Sequence, residues 1–287
     1  MQLHLILTTL ILSICSAAER PHFSLKELYK LQESIWENFI APNNAIQAES
    51  VNSSLLTPDI RGRVDITREF IGAELNTEYL FGLFAQIEET NEYSLLGVPV
   101  AYDMVSFTGN QDVANAVTLI HFNSTVWGPF TLEVHVRSKF NVRGQLMQYD
   151  ATFRQWDLFL EEGYQRIAAT QFGGSIQRAR RFITDQIAKT VCQVHEQSCD
   201  GENRQWKDKK ECYRFLVHEI PFGAGHAMGR NNLICRMMHT SMVPIRPATH
   251  CPHIGPTGGG MCDNKESYAD RINQDFWKYS WTPEALE

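Results

Sequence analysis

Between Cys15 and Cys192 the chain has no cysteine, although it carries seven in all. Packing and hydrogen bonding must therefore hold that long stretch together without covalent cross-links. Positive charge is also scarce: 26 Lys and Arg stand against 33 Asp and Glu, a formal charge of −7. That balance supplies no basic face, so neither nucleic acid nor an anionic lipid surface is an expected partner. Long apolar runs are missing beyond the first fifteen residues. A spanning helix needs about 20 apolar residues, so no membrane span is expected. No Gly-Lys-Ser/Thr follows the glycine-rich stretch 255–260, and there is no Gly-x-Ser-x-Gly elbow. A phosphate loop and a hydrolase nucleophile of those types are excluded. Repeats and low-complexity tracts are absent as well.

What is present first concerns compartment. Residues 3–15 are an apolar run too short to span a bilayer, followed by Ser16-Ala17-Ala18 and then Glu19-Arg20-Pro21. This is the pattern of a secretory signal peptide over residues 1–18. Its removal leaves Cys192, Cys199, Cys212, Cys235, Cys251 and Cys262, an even set suited to three disulfides in an oxidising compartment. Spacing does not choose among the pairings, and an even count leaves no spare thiol nucleophile. Asn52-Ser53-Ser54 and Asn123-Ser124-Thr125 are acceptor sequons, so Asn52 and Asn123 are candidate glycosylation sites. The expectation is a secreted, extracellular glycoprotein.

Ser24 and Glu27 form a capping box ahead of Leu25, Leu28, Tyr29, Ile35, Trp36 and Phe39 at helical spacing, with a break at Pro42-Asn43-Asn44. A second helix is expected after Asn76, with Tyr79, Leu80, Phe81, Phe84 and Ile87 on its apolar side. From residue 98 the period falls to two: 98–107, 116–122, 131–140 and 145–153 read as strands. In 131–140, Leu132, Val134, Val136 and Phe140 face one way; Glu133, His135, Arg137 and Lys139 face the other. A helix bearing Trp156, Phe159, Leu160, Tyr164 and Ile167 follows. Helices, then consecutive antiparallel strands, give an α+β fold.

The run 140–156, FNVRGQLMQYDATFRQW, resembles the end of a SnoaL-like domain, a member of the nuclear-transport-factor type of cone. The resemblance covers roughly 24–165. It implies a cone-shaped curved antiparallel sheet wrapped by helices around a pocket, and self-association as a homodimer through the sheet. The superfamily includes cyclases, isomerases, dehydratases and non-enzymatic binders, so the fold leaves enzymatic activity open. Within such a cone, strand parity sets polar residues on otherwise apolar faces: His121 with Val117 and Leu119, Asp103 with Ala101, Val105 and Phe107, and Asp150 with Leu146, Gln148 and Thr152. An acid–base set of Asp103, His121 and Asp150, with Tyr102 or Tyr149 as ligand-binding hydrogen-bond donors, would move a proton on an apolar polyketide-like or terpenoid-like molecule without a cofactor. The competing reading has each polar group satisfied locally and the cone acting as a carrier.

The second half, 173–287 after a cone domain of 19–172, is rich in Cys and His. Residues 176–191 form a basic amphipathic helix with Ile183, Ile187 and Val191 in line, and CYRFLVHEI from Cys212 is helical. Pro244, Pro247, Pro252 and Pro256 with three glycines describe an irregular loop that disulfides from Cys235, Cys251 and Cys262 would fix. The favoured reading makes this region a structural module with no metal. The alternative, a metal site or cell-surface interaction module, would need His239, His250 and His253, with His226 as a further candidate, binding zinc or copper. The string CRMMH, RPATHCPHIGP and GGGMC resembles the tail of secreted fungal proteins that also carry a SnoaL-like front half.

Overall fold

The computed structural model describes residues 20–85, 95–272, 274–277 and 281–283. The leader-like residues 1–18 and Ile87 lie outside the described residues. Helix α1 (Leu25–Phe39) starts at the expected capping box, with both reciprocal bonds between Ser24 and Glu27 present. It buries Leu28, Ile35, Trp36 and Phe39. The break at Pro42 is followed at once by a short helix, α2 (Asn43–Glu49). The second expected helix begins earlier than Asn76: α3 spans Ala73–Leu80. Asn76 lies inside it, where its Nδ2 donates to the carbonyls of Ile60, Phe70 and Gly72. A 3-10 turn, Gly82–Phe84, follows.

Six strands, β1 (Leu56–Val64), β2 (Glu69–Ile71), β3 (Val98–Asn110), β4 (Val113–Ser124), β5 (Gly128–Phe140) and β6 (Leu146–Phe153), form one curved sheet in the order β2-β1-β6-β5-β4-β3. The last four are the strands the period-two pattern marks. The β1–β6 pairing is parallel and the rest are antiparallel, so the sheet is mixed at one seam. The inner face carries Ala116, Ile120, Phe122, Leu132, Val134, Val136 and Ala151, all buried. Residues Glu133, His135 and Arg137 point outward as expected. Lys139 shares that side yet is buried, with its Nζ 2.7 Å from Asp112 Oδ2.

Beyond the sheet lie α4 (Trp156–Gln171), α5 (Ile176–Ser198), α6 (Lys209–His218), α7 (Leu233–Met238), α8 (Pro247–Ile254) and α9 (Tyr268–Arg271). The proline-rich segment expected to be an irregular loop is largely helical. Pro247 occupies the first turn of α8, where a missing N–H costs nothing and the fixed φ suits a helix. Ile234, Met237, Val243 and Ile254 are buried there, so the region has apolar content of its own. Three disulfides complete it: Cys192–Cys212 joins α5 to α6, Cys199–Cys251 ties the end of α5 to α8, and Cys235–Cys262 links α7 to the loop after α8. The hydrophobic core runs unbroken from Leu28 of α1 to Ile254 of α8. The segments 274–277 and 281–283 lie back on the outer face of β1 and β6: Phe276 is buried with the Arg63 guanidinium 4.3 Å from its ring centroid, and Trp281 Nε1 donates to Gln148 Oε1.

Candidate functional site

The curved sheet and the helices over its inner face enclose a cavity. Phe39, Phe70, Tyr79, Phe122, Tyr149 and Trp156 contribute rings to its wall. Its volume is about 70 Å³. A cavity of about 150 Å³ with aliphatic and aromatic walls already admits benzene, and small-molecule sites start near 300 Å³. The void is smaller than either, so a ring-sized ligand enters only as the side chains around it move apart.

Few polar groups reach this wall. Gln32 Oε1 accepts from the Ser138 hydroxyl at 2.7 Å, which leaves Gln32 Nε2 buried without a partner. The Tyr149 hydroxyl is likewise buried and unpartnered. Burial holds the Tyr149 phenol well above the ordinary tyrosine pKa, so it is a neutral hydroxyl. Each such group forfeits roughly 1–3 kcal/mol of solvation unless a ligand atom meets it. Among the described residues, no carboxylate, imidazole or amine lines the cavity.

The expected acid–base set is not in this space. His121 and Asp103 lie on the outer face, with His121 Nε2 3.0 Å from Asp103 Oδ2 and Nδ1 2.8 Å from Thr131 Oγ1. The parity was inverted because β4 is apolar on both sides: Ala116, Ile120 and Phe122 point in, while Val117, Leu119 and His121 point out. Asp150 is separated from them, held by two bonds from Arg63, Nε at 2.9 Å and Nη2 at 2.8 Å. Counting from Leu146 misassigned its face because the pairing skips a residue between Leu146 and Gln148, and such a bulge reverses the alternation. Tyr102 stands half-buried at the α1 edge. Burial and the Glu37 and Glu33 carboxylates push its pKa up to about 12. Of the five, only Tyr149 reaches the cavity wall.

Behind Tyr79 the wall has a second layer that is polar and buried. The Tyr79 hydroxyl lies 3.0 Å from His239 Nε2. His239 closes α7, and His250 and His253 stand three apart on α8, so one turn presents both to the same side. All three are buried, and one ring nitrogen from each lies within 4.8 Å of the others. His250 Nε2 is 2.9 Å from Glu78 Oε1, which also receives Arg246 Nη1 at 2.7 Å. Burial first, then neighbouring positive charge, drives the His253 pKa down to about 3 and that of His239 well below its usual value. The disulfides set this geometry: Cys251 sits between His250 and His253, and Cys235 lies one turn before His239. Arg236, fully buried, donates to the carbonyls of Asn232, Gly255 and Pro256 and locks the loop after α8 to α7. His226 is elsewhere, exposed beside Asp157. Glu78 and Tyr79 were not expected here, since nothing in a short helix of the first half points to histidines some 160 residues on.

Family models match two stretches: a BfoA N-terminal domain over residues 33–151 and a BfoA family C-terminal domain over residues 154–265. A Bifonsecin B biosynthesis cluster protein A of Aspergillus brasiliensis is 42% identical over 266 residues, 92% of this chain and 88% of its own length. An Aurasperone B biosynthesis cluster protein A of Aspergillus niger is 42% identical over 265 residues, 91% of this chain and 85% of its own. Among solved structures, a protein assigned as a SnoaL-like polyketide cyclase from Jannaschia sp. CCS1 matches with TM-score 0.35 and 8% identity, over 47% of this chain and 90% of its own. An M. tuberculosis LEH-like epoxide hydrolase matches with TM-score 0.37 and 9% identity, over 50% and 96%. Likenesses that distant carry no argument about chemistry.

Proposed function

The chain belongs to the BfoA family, and from that premise we propose that it binds an apolar small molecule of secondary metabolism in its cone. The observation that carries this reading is the aromatic cavity whose lining residues Gln32, Trp36 and Tyr149 each have a buried, unpartnered polar atom, Nε2, Nε1 and Oη. An apolar chamber with a few fixed polar groups is how proteins orient small ligands. The relatives named for biosynthesis clusters support a ligand from such a pathway.

The reading is one of holding and orienting. Cyclisation, isomerisation or dehydration needs a group that gives or takes a proton near neutrality within reach of the substrate, and the described cavity wall has none. Asp103, His121 and Asp150 have no part in it. Secretion belongs to the same proposal. Three disulfides support it, and among the described residues no helix is long and apolar enough to cross a membrane. Asn52 and Asn123 are both exposed, as glycosylation would require. A homodimer through the sheet would have to use β3 to β5, because the tail covers β1 and β6.

The test is a titration of the full chain with 1-naphthol, an apolar phenol that must open the cavity to enter, followed by tryptophan fluorescence. The expected result is saturable one-to-one quenching that Ala151→Leu, which fills the cavity, abolishes. Quenching that never saturates, or that Ala151→Leu leaves unchanged, sinks the proposal.

A further inference from the structure

The three buried histidines carry more than packing explains. A carboxylate accepts hydrogen bonds and cannot donate, so the contact to Glu78 places a proton on His250 Nε2, and the neutral ring that a metal requires has its Nδ1 lone pair free. That Nδ1 faces His253 Nδ1 at 3.2 Å. Two ring nitrogens sharing a tetrahedral ion at about 2.0–2.1 Å would stand roughly 3.3–3.4 Å apart. His239 has its Nε2 engaged by Tyr79, and its Nδ1 is buried with no partner at all. A hydrogen bond between His250 and His253 would satisfy those two rings and leave His239 stranded. A cation among the three satisfies every one.

We propose that His239, His250 and His253 bind one zinc-class divalent cation through Nδ1, with Glu78 and Tyr79 orienting two of the rings from behind. Imidazole ligands suit zinc and its first-row neighbours. Metal-bound histidines characteristically direct the other ring N–H to a carboxylate or another acceptor, the position that Glu78 holds behind His250 and the Tyr79 oxygen behind His239. A ring nitrogen of His239 lies within 4.8 Å of one from each of the other two, and a shared ion would draw it closer. The Cys235 and Cys262 sulfurs lie within 4.8 Å of a ring nitrogen of His239, but they are bonded to each other and offer no thiolate. Three protein ligands leave a fourth position for water or an exogenous group. The ion would join α7 and α8 through Glu78 and Tyr79 to α3, and Tyr79 is also part of the cavity wall. The metal site does not depend on what fills the cavity.

The test uses the full oxidised chain, dialysed free of metal and titrated with Co²⁺ while visible absorption is read. The expected result is d–d bands that saturate at one ion per chain and vanish on adding one equivalent of Zn²⁺. His239→Ala and His253→Ala abolish the bands, while His226→Ala leaves them intact. Tyr79→Phe keeps the ring and the fold and weakens Co²⁺ binding about tenfold. Near-UV circular dichroism checks that each variant is folded. A folded wild-type chain with no d–d bands, or bands that persist in both folded alanine variants, overturns the proposal. If the alanine variants do not fold, unchanged Co²⁺ affinity in Tyr79→Phe overturns it equally.

Discussion

At the scale of single residues, two buried polar side chains decide testable behaviour. His195 of α5 is fully buried, and its Nε2 accepts from the Gln205 backbone N–H at 3.0 Å. Protonating Nε2 would turn that acceptor into a donor facing a donor. Burial first, and then Arg204, lower its pKa from the ordinary 6.5. The folded state therefore binds fewer protons than the unfolded one below that value. Stability is intact above about pH 6.5 and falls as the pH drops through it, with a slope approaching 1.4 kcal/mol per pH unit. Urea unfolding between pH 8 and 5 measures this together with the same-signed contributions of His239 and His253, and His195→Phe should make that part of the curve shallower without abolishing it. The same variant loses about 1–2 kcal/mol at pH 8 because the Gln205 N–H is orphaned. Tyr149→Phe should act in the opposite sense on the ligand-free protein. Removing an unpartnered hydroxyl leaves stability unchanged or raises it by up to about 1 kcal/mol, while weakening 1-naphthol binding. Thermal melts and the fluorescence titration report the two halves of that prediction.

At the scale of elements, legibility followed the clarity of the period. Strand β5 was plain because Leu132, Val134 and Val136 alternate with charged residues. Strand β1, LTPDIRGRV, was missed because Pro58-Asp59 and Gly62 mimic turn chemistry. Gly62 is there for space: a Cβ would stand 2.2 Å from both the Tyr149 ring and Asn76 Oδ1. Gly62→Ala should cost about 1–3 kcal/mol through that overpacking, read as a lower urea midpoint at unchanged slope. Helix α8 was missed because two prolines and two histidines hide its short apolar side. Its anchorage to α5 through Cys199 and Cys251 closes a loop with a sequence separation of 52. Replacing both cysteines by alanine should lower stability by about 2–4 kcal/mol and loosen Co²⁺ binding, since Cys251 lies between two of the three histidines.

At the scale of the whole molecule, the even set of six cysteines forms three disulfides, all in the second half. The α+β class and the cone-like inner face were also legible, since strands 98–153 have the right period and the helices their caps. The site was much less so. Whether a residue on a two-sided apolar strand points in or out depends on what covers each face, and the alternation of β4 holds no such information. The meeting of Tyr79 with His239 is tertiary contact across most of the chain, beyond any local pattern. What emerges is a single continuous core in which an aromatic chamber on one side of Tyr79 backs onto a histidine cluster on the other.

The most direct measurement is a crystal structure of the full chain grown with 1-naphthol. We expect one naphthol ring system inside the cone between Phe122 and Trp156, its hydroxyl within hydrogen-bond distance of Tyr149 Oη or Gln32 Nε2. A collapsed or empty chamber, with naphthol absent or bound only at the surface, would contradict the account.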